Sequence, residues 1–301
     1  MEEVDKMSHR LRTCGAAAVL LLLLTLLSSC GQPTVPDETA TDYNQYIPSH
    51  GVTAYTKDLY IFFDSGRLFY VGRSQPSQLS PLCFQADCDH KNSSCTAWLN
   101  TPSRSIYAAG DNLYYIDADK DAKPALYRMD LSGGGRELVK SLNILNEESW
   151  PGISSLGYSF RVYGSYLAIE LNLLQEDSWQ HKIYLTGIDS KDEGVFLFGE
   201  EGDSDKSYIA IEFRENWLFV TEKNAADGTN TLWGYNFTTQ EAVPLVEGWD
   251  ISNCFTVQDG ILYWAVTGDG VYSMDMEKKS VTKHRSFDPV LEYGAAAYDD
   301  Q

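Results

Sequence analysis

Three cysteines and one histidine lie close together in the sequence, and together they have the chemistry of a metal site. Cys83, Cys88, His90 and Cys95 follow the pattern C-x4-C-x-H-x4-C. Three thiolates and one imidazole are a known donor set for tetrahedral structural zinc. Because such a set fills all four positions around the ion, it leaves none open for a substrate. The segment 83–95 is therefore predicted to have a structural role.

Two other states of the thiols fit the same spacing. Outside the cytoplasm a disulfide is the usual state of paired cysteines. The segment holds an odd number of cysteines, however, and Cys254 lies far away in the sequence. Free thiols are the third possibility, and proximity in sequence does not decide among the three. In each state the segment is expected to fix a long loop in place.

This segment interrupts a repeat that runs along most of the chain. A short apolar strand follows a polar or glycine-containing turn at five places, which start at Leu59, Leu113, Tyr166, Trp217 and Ile261. Successive starts are 54, 53, 51 and 44 residues apart. Short strands and turns that recur with such a period are the signature of four-stranded β-propeller blades. The sequence therefore predicts an all-β propeller.

The repeat predicts five complete blades and the start of a sixth within one domain, residues 52–301. The predicted blades span Val52 to Cys83, Ile106 to Val139, about Ser159 to Phe198, Tyr208 to Val246, and Cys254 to about Lys283. Leu291 to Tyr298 has the pattern of the first strand of a sixth blade. A propeller closes on itself to remove its sheet edges. The ring is therefore expected to be incomplete or to close in some other way.

The N-terminal residues predict export and a lipid anchor. Cys14 to Leu27 is an apolar run too short to span a bilayer and typical of a signal-peptide core. The four residues that end in Cys30, Leu-Ser-Ser-Cys, resemble the bacterial lipobox, in which the cysteine is lipidated. Residues 1–29 are thus predicted to be a lipoprotein signal peptide. The alternative is an ordinary secretory signal with an incidental cysteine.

Two details follow from the residues around this signal. The stretch before residue 7 is acidic, whereas a basic leader begins at Met7, so translation starts at either Met1 or Met7. Residues 30–51 contain three prolines and no apolar periodicity. This segment is predicted to be a flexible tether between the lipidated cysteine and the propeller. The predicted location is the extracytoplasmic face of a bacterial membrane.

The charge of the chain limits its partners. The formal net charge is −20, and residues 1–29 carry three charges of each sign, so their removal leaves it unchanged. A surface of this sign repels nucleic acid and anionic lipid headgroups. Nucleic acid is therefore not expected as a partner. The alternative explanation of the charge is that it only keeps an exported protein in solution.

Carboxylates recur in the predicted connections between the second and third strands of the blades. These connections are predicted to be long and to share one face of the propeller with the links between blades. Long loops on a rigid scaffold are a common place for binding residues. The candidate ligand residues there are Asp117, Asp119, Asp121, Asp177, Asp227 and Asp269. Such a face would attract cations, basic peptides or calcium. The alternative is that these are ordinary turn residues exposed to water.

Three tryptophans fall in the predicted links between blades. They are Trp98, Trp150 and Trp249. Exposed aromatic rings on the ligand face would suit sugar rings or cationic groups. The alternative is that they pack between neighbouring blades as part of the core.

Several of these features together resemble those of a known group of proteins. The lipobox, the tether, the segment from Leu82 to Ala97 and repeats such as Leu113 to Ile116 are similar to uncharacterised propeller lipoproteins of Gram-positive bacteria. Their repeats resemble the low-density lipoprotein receptor type of propeller and are grouped under a domain of unknown function. The resemblance implies a surface-anchored propeller and assigns no activity.

The sequence favours binding over catalysis. It contains no Gly-x-Ser-x-Gly elbow, no phosphate-binding glycine loop and no His-Glu-x-x-His motif. The predicted function is that of a non-catalytic cell-surface lipoprotein that binds an extracellular glycan, peptide or cation. The alternative is a scaffold for another envelope protein. A glycan-active enzyme is the third possibility, since two loop carboxylates at a suitable distance can hydrolyse a glycosidic bond.

Overall fold

The structure, a computed structural model, describes residues 53–100, 105–175, 178–191, 193–199, 205–248, 251–266 and 269–286. Within them the chain forms five four-stranded antiparallel sheets, each with its strands in sequence order. This arrangement confirms the predicted all-β propeller with five blades. The signal peptide 1–29, Cys30 with the tether 30–51, and the sixth-blade strand from Leu291 to Tyr298 lie outside the described residues and stay predictions.

Each blade is one sheet whose strands follow one another along the chain. Blade one has strands β1 Thr53–Tyr55, β2 Leu59–Asp64, β3 Arg67–Gly72 and β4 Gln75–Pro81. Blade two has β5 Ile106–Ala109, β6 Asn112–Ala118, β7 Pro124–Asp130 and β8 Glu137–Ser141. Blade three has β9 Ile153–Tyr163, β10 Tyr166–Gln175, β11 Ser178–Gly187 and β12 Val195–Phe198. Blade four has β13 Lys206–Arg214, β14 Trp217–Asn224, β15 Asn230–Asn236 and β16 Glu241–Glu247. Blade five has β17 Ile251–Gln258, β18 Ile261–Val266, β19 Gly270–Asp275 and β20 Ser280–Ser286.

Neighbouring blades are held together by hydrophobic clusters between their sheets. The first strands of successive blades contact one another, from β1 through β5, β9 and β13 to β17. The described residues form one cluster between blades one and two, a second between two and three, a third between three and four, and a fourth between four and five. Each cluster draws side chains from both sheets, so neither sheet can bury its apolar face alone.

Strand β6 shows why the second strands are continuous apolar runs rather than alternating ones. Leu113 and Tyr115 belong to the cluster shared with blade one, whereas Tyr114 and Ile116 belong to the cluster shared with blade three. Successive residues point to opposite sides of a strand, and here both sides are covered by a neighbouring blade. Each fully buried side chain of this size stabilises the fold by about 1.5–3 kcal/mol.

The strands of blade three are longer than the sequence predicted. Strand β9 begins at Ile153 rather than near Ser159, β10 continues to Gln175, and β11 begins at Ser178. Apolar and polar residues alternate in this extension, so one of its faces packs on the link 142–152 while the other stays polar. The polar residues of the extension are also typical of a loop, which is why the sequence predicts a loop here, whereas the structure has a paired hairpin of β10 and β11.

The connections between second and third strands are short, which corrects the prediction that they are long. They comprise residues 65–66, 119–123, 176–177, 225–229 and 267–269. Ser65 and Gly66 both have positive φ values, of 48° and 82°, as a two-residue hairpin turn requires. The long connections on this face, which we call the loop face, are the links 82–105 and 142–152 between blades.

The link 142–152 contains the described helical structure, in the form of two short 3-10 turns. They span Asn143–Leu145 and Glu147–Ser149. In the part of the chain that the structure describes, no helix has the length and apolar character needed to cross a membrane.

Candidate metal centre

The candidate centre lies in the link 82–105, between the last strand of blade one and the first strand of blade two. Strand β4 ends at Pro81, two residues earlier than predicted, so Cys83 lies just beyond it. The link then turns through the cysteine and histidine residues. It returns to the body of the protein at Ala97, whose carbonyl accepts a hydrogen bond of 2.8 Å from the Leu68 amide of β3.

The structure brings all four predicted donor residues together. Their donor atoms, the thiol sulfurs of Cys83, Cys88 and Cys95 and a ring nitrogen of His90, lie within 4.8 Å of one another. Nδ1 of His90 lies 3.3 Å from Sγ of Cys95. In a tetrahedral site with zinc–sulfur bonds of about 2.3 Å, the sulfurs would be about 3.8 Å apart. The arrangement is therefore compact enough to bind one metal ion.

Local turns bring the donors into this position. The amide of Cys88 donates to the carbonyl of Gln85 at 3.4 Å, and that of Cys95 donates to Asn92 at 3.1 Å. His90 has a φ of 55°, a left-handed conformation that few residues other than glycine adopt. Its carbonyl accepts a hydrogen bond of 3.1 Å from Nη1 of Arg67, on β3. The backbone of the centre is thus tied to blade one.

The centre spans the boundary between the protein interior and its surface. Cys95 is buried within the hydrophobic cluster of blades one and two, and Cys83 and Cys88 pack partly buried against that cluster. All three thiols are free in the structure. One side of the centre therefore lies against the hydrophobic cluster of blades one and two.

The surroundings shift the pKa values of the Cys83 and Cys95 thiols in opposite directions. Burial raises the pKa of Cys95 to about 12, against the opposing hydrogen bond from the Ala97 backbone. Burial also acts to raise the pKa of Cys83, but hydrogen bonds from Thr96 and from the Gln85 backbone outweigh it and lower that pKa to about 6. A metal ion binds thiolates, so its binding would release protons from this centre.

A buried ion pair holds the returning end of the link against blade two. Nη2 of Arg136 donates a 2.5 Å hydrogen bond to Asp117, whose side chain is fully buried. Nη1 of Arg136 donates to the carbonyl of Trp98 at 2.9 Å. The Asp117 carboxylate also accepts a hydrogen bond of 2.9 Å from the backbone amide of Asn100. The Arg136 guanidinium lies over the ring of Tyr127, 4.9 Å from the ring centroid. The link is therefore fixed at residues 98 and 100.

The first residues of the link are held by a glycine turn of blade two. Gly133, in the connection between β7 and β8, has a φ of 86°. A Cβ atom at this position would lie 2.6 Å from the carbonyl oxygen of Leu82 and 2.8 Å from the amide nitrogen of Cys83. Such contacts are too short for any side chain, so only glycine allows the turn to pack here.

The structure shows that the prediction of Asp117 as a residue of an exposed ligand face is wrong. It also shows what the other described aspartates of the predicted ligand set contact. Asp117 is buried and paired, so it does not belong to an exposed face. Asp119 and Asp227 accept backbone hydrogen bonds within their own turns, and Asp269 pairs with Lys283 and Tyr272. These contacts lower the pKa of all three carboxyls. Asp121 is exposed. Asp177 lies outside the described residues.

Of the three tryptophans predicted for the ligand face, the two that the structure describes are half-buried and pack against the cores between blades. Trp98 packs against the cluster of blades one and two, and Trp150 against that of blades two and three. Nε1 of Trp150 donates a 2.8 Å hydrogen bond to Ile144, and its ring meets Phe196 edge to face. These contacts match the packing alternative. Trp249 lies outside the described residues.

Sequence reasoning missed the residues that hold the centre in place. Arg67, Gly133 and Arg136 contact the link from elsewhere in the chain, at separations that no local pattern shows. The run Ser-Gly-Gly-Gly at 132–135 was available as a signal, because three successive glycines are more than a simple turn requires.

Comparisons with known proteins find similarity in fold only. No protein-family model matches the chain, and no curated protein matches it. Among solved structures, a putative TolB from Agrobacterium tumefaciens is 13% identical, with a TM-score of 0.44 over 77% of this chain and 79% of that one. An oligogalacturonate lyase in complex with manganese is 13% identical, with a TM-score of 0.46 over 78% of this chain and 63% of the lyase. AztD from Citrobacter koseri is 11% identical, with a TM-score of 0.41 over 79% of this chain and 58% of AztD. At these values the similarity says nothing of a ligand or a reaction.

Replacement of Asp117 by alanine should destabilise the protein strongly. The change leaves the Arg136 charge without its buried partner and removes the acceptor of the Asn100 amide, and breaking a buried pair in this way costs about 3–5 kcal/mol. Urea unfolding measures the effect. Asp121→Ala, an exposed residue of the neighbouring turn, is the matched control and should change stability by less than about 0.5 kcal/mol. Equal effects of the two substitutions would contradict the role assigned to the ion pair.

Proposed function

We propose that the protein is a lipid-anchored propeller on the outer face of a bacterial cell membrane that binds an extracellular ligand on its loop face, without chemistry of its own. The anchor would be Cys30, and residues 31–51 would link it to the propeller. The net charge of −20 favours a neutral or cationic ligand over an anionic one.

The observation that carries this proposal is the folded state of the longest connection on the loop face. The link 82–105 is held by hydrogen bonds from Arg67 and Arg136, by the close approach of Gly133, and by the convergence of four donor residues. Long connections on a rigid scaffold are where proteins commonly place binding residues. A fixed link supplies a preformed surface, and a preformed surface loses less entropy when a ligand binds.

The metal in the centre is proposed to be zinc. Three sulfur donors and one nitrogen donor suit a borderline-soft ion that prefers tetrahedral coordination, and hard ions such as calcium prefer oxygen. The four protein donors would complete the coordination of the ion, so the zinc would stabilise the link and take no part in a reaction.

Native mass spectrometry of the full-length protein in detergent should find one zinc ion per chain, and a chelator should lower the melting temperature. His90→Ala removes one donor and should abolish zinc binding at the protein concentrations used. Asp87→Ala, an exposed neighbour that is not a donor, should retain the ion. Two cysteines that resist alkylation in the unfolded, metal-free chain would show a disulfide and contradict the zinc proposal.

The lipid anchor predicts that Cys30→Ser releases the protein from the membrane. In a Gram-positive host fed an alkynyl fatty acid, the unchanged chain should be labelled and should fractionate with membranes, whereas the variant should be unlabelled and secreted. Cys14→Ala, within the apolar run, is the control and should keep the label. Label on the Cys30→Ser chain would contradict the assignment of the anchor.

Ligand binding predicts a rise in melting temperature with one class of probe. The full-length protein is heated with neutral oligosaccharides, with a lysine- and arginine-rich peptide, or with calcium. At a hundredfold excess over the dissociation constant, a ligand that binds only the native state stabilises it by about 2.7 kcal/mol. No rise with any probe, together with capture of a single envelope protein, would favour the scaffold alternative. Cleavage of an oligosaccharide probe would contradict the non-catalytic proposal.

A further inference from the structure

Blade one has an apolar side that faces away from blade two. Alternate residues of its strands lie on opposite sides of the sheet. Ala54, Ile61 and Leu68 belong to the cluster shared with blade two, so the residues between them lie on the other side. We call this side the open face, and its apolar residues are Tyr55, Tyr60, Phe62, Phe69, Val71, Leu79 and Pro81.

The open face lies outside the hydrophobic clusters of the described residues. None of its seven apolar residues belongs to any of the four clusters that these residues form, whereas blades two, three and four each have a cluster on both sides. Tyr60 and Leu79 are 39% and 56% exposed. Proteins rarely leave a contiguous apolar patch of this kind uncovered. The open face is therefore expected to have an occupant.

The aromatic rings of the open face form an ordered surface. Tyr55 meets Tyr60 edge to face, with ring centroids 5.4 Å apart. Phe62 stacks on Phe69, with ring centroids 5.9 Å apart. Because both pairs join neighbouring strands, the rings of β1, β2 and β3 together form one surface against which a further strand can pack.

Arginines flank this aromatic surface. The guanidinium of Arg67 lies over the ring of Phe69, and that of Arg73 over the ring of Tyr60, at 5.4 and 4.9 Å from the ring centroids. Asp64 lies opposite Arg67 in the sheet, so the positive charge is greater at Arg73. Arg73 follows the last residue of β3, at the end away from the loop face. The open face thus suits an apolar strand with carboxylates at that end.

The C-terminal residues 287–301 have this composition. The stretch from Leu291 to Tyr298 contains one acidic residue and three successive alanines, and two aspartates follow it. The whole segment contains no lysine or arginine. Small residues also occur in first strands, where Ala54 of β1 and Ala108 of β5 are buried. The residue sizes therefore suit a first strand that packs against β1.

The chain is long enough to reach this position from blade five. Strand β20 ends at Ser286, five residues before Leu291. Five residues span up to about 17 Å, whereas the three strand spacings across a blade measure about 14 Å. The link between blades four and five, residues 248–250, is shorter still. In a ring of six positions, the one after blade five is next to blade one.

We propose that the C-terminal segment 287–301 covers the inner part of the open face of blade one. Residues 291–298 would form a strand that lies against Tyr55 and Tyr60. First strands run away from the loop face, so the two aspartates that follow would lie near Arg73. The contact would continue the series of first strands from β17 back to β1. This inference concerns the closure of the propeller and does not depend on the proposed ligand.

Hydroxyl-radical footprinting of the full-length protein, read by mass spectrometry, tests the contact, because a side chain is oxidised faster when it is more exposed. The double variant Ala296→Arg/Ala297→Arg places an arginine on both sides of the proposed strand, so one of them meets the open face. We expect Tyr55 to be oxidised severalfold faster in this variant. Leu79 lies in β4, which one added strand does not reach, and its oxidation rate should stay the same.

A matched control and a folding check accompany this variant. Thr239→Arg/Glu241→Arg changes two exposed positions of blade four and should leave the oxidation rate of Tyr55 unchanged. Phe160, buried in the cluster of blades two and three, should stay protected in every variant that folds.

An exchange of charges tests the same contact without a large side chain in the strand. Arg73→Glu should raise the oxidation rate of Tyr55, because like charges would then meet. Asp299→Arg/Asp300→Arg in the same chain should restore the original rate. If the alanine double variant does not fold, this exchange decides the proposal.

Two results would overturn the inference. Equal oxidation rates of Tyr55 in the unchanged protein and the folded alanine variant, or a charge exchange that restores nothing, would show that the segment does not cover the open face. Oxidation rates that fall as the protein concentration rises, together with dimers in sedimentation velocity, would assign the open face to a second copy of the chain.

Discussion

The burial of apolar sheet faces between neighbouring blades is the interaction on which the structure depends. A single four-stranded sheet of this composition has two apolar sides and cannot cover either of them by itself. The chain therefore stacks its sheets, and each of the four described clusters joins two successive blades. This constraint fixes which sides of the strands are covered by a neighbouring blade, and it leaves the turns and links at the strand ends as the places where the chain can vary.

The link 82–105 shows what is needed to order such a variable segment. Between Cys83 and Cys95 it consists mainly of small polar and acidic residues, which supply almost no apolar surface to offset the loss of conformational entropy. Specific contacts take the place of a core: an arginine from blade one, an ion pair and a glycine turn from blade two, and the four donor residues. Structural zinc in small domains contributes an apparent 10–16 kcal/mol, far more than one buried leucine.

The sequence predicted those features that depend on local pattern or spacing. The repeat starting at Leu59 and Leu113 revealed the blades, because every blade solves the same packing problem with the same order of strands and turns. The donor residues were recognisable from their chemistry, and the structure brings them together. Burial of Asp117 was not predictable in this way, because Arg136 reaches it from another connection. The extension of blade three was missed because its alternating polar residues also suit a loop.

The close approach of Gly133 to the backbone of Leu82 and Cys83 makes the cysteine segment depend on a residue of another blade. The φ of 86° at Gly133 favours glycine in this turn by itself, and the contact adds a second reason for it. A substitution at position 133 would therefore displace the start of the segment without changing any of its four donor residues.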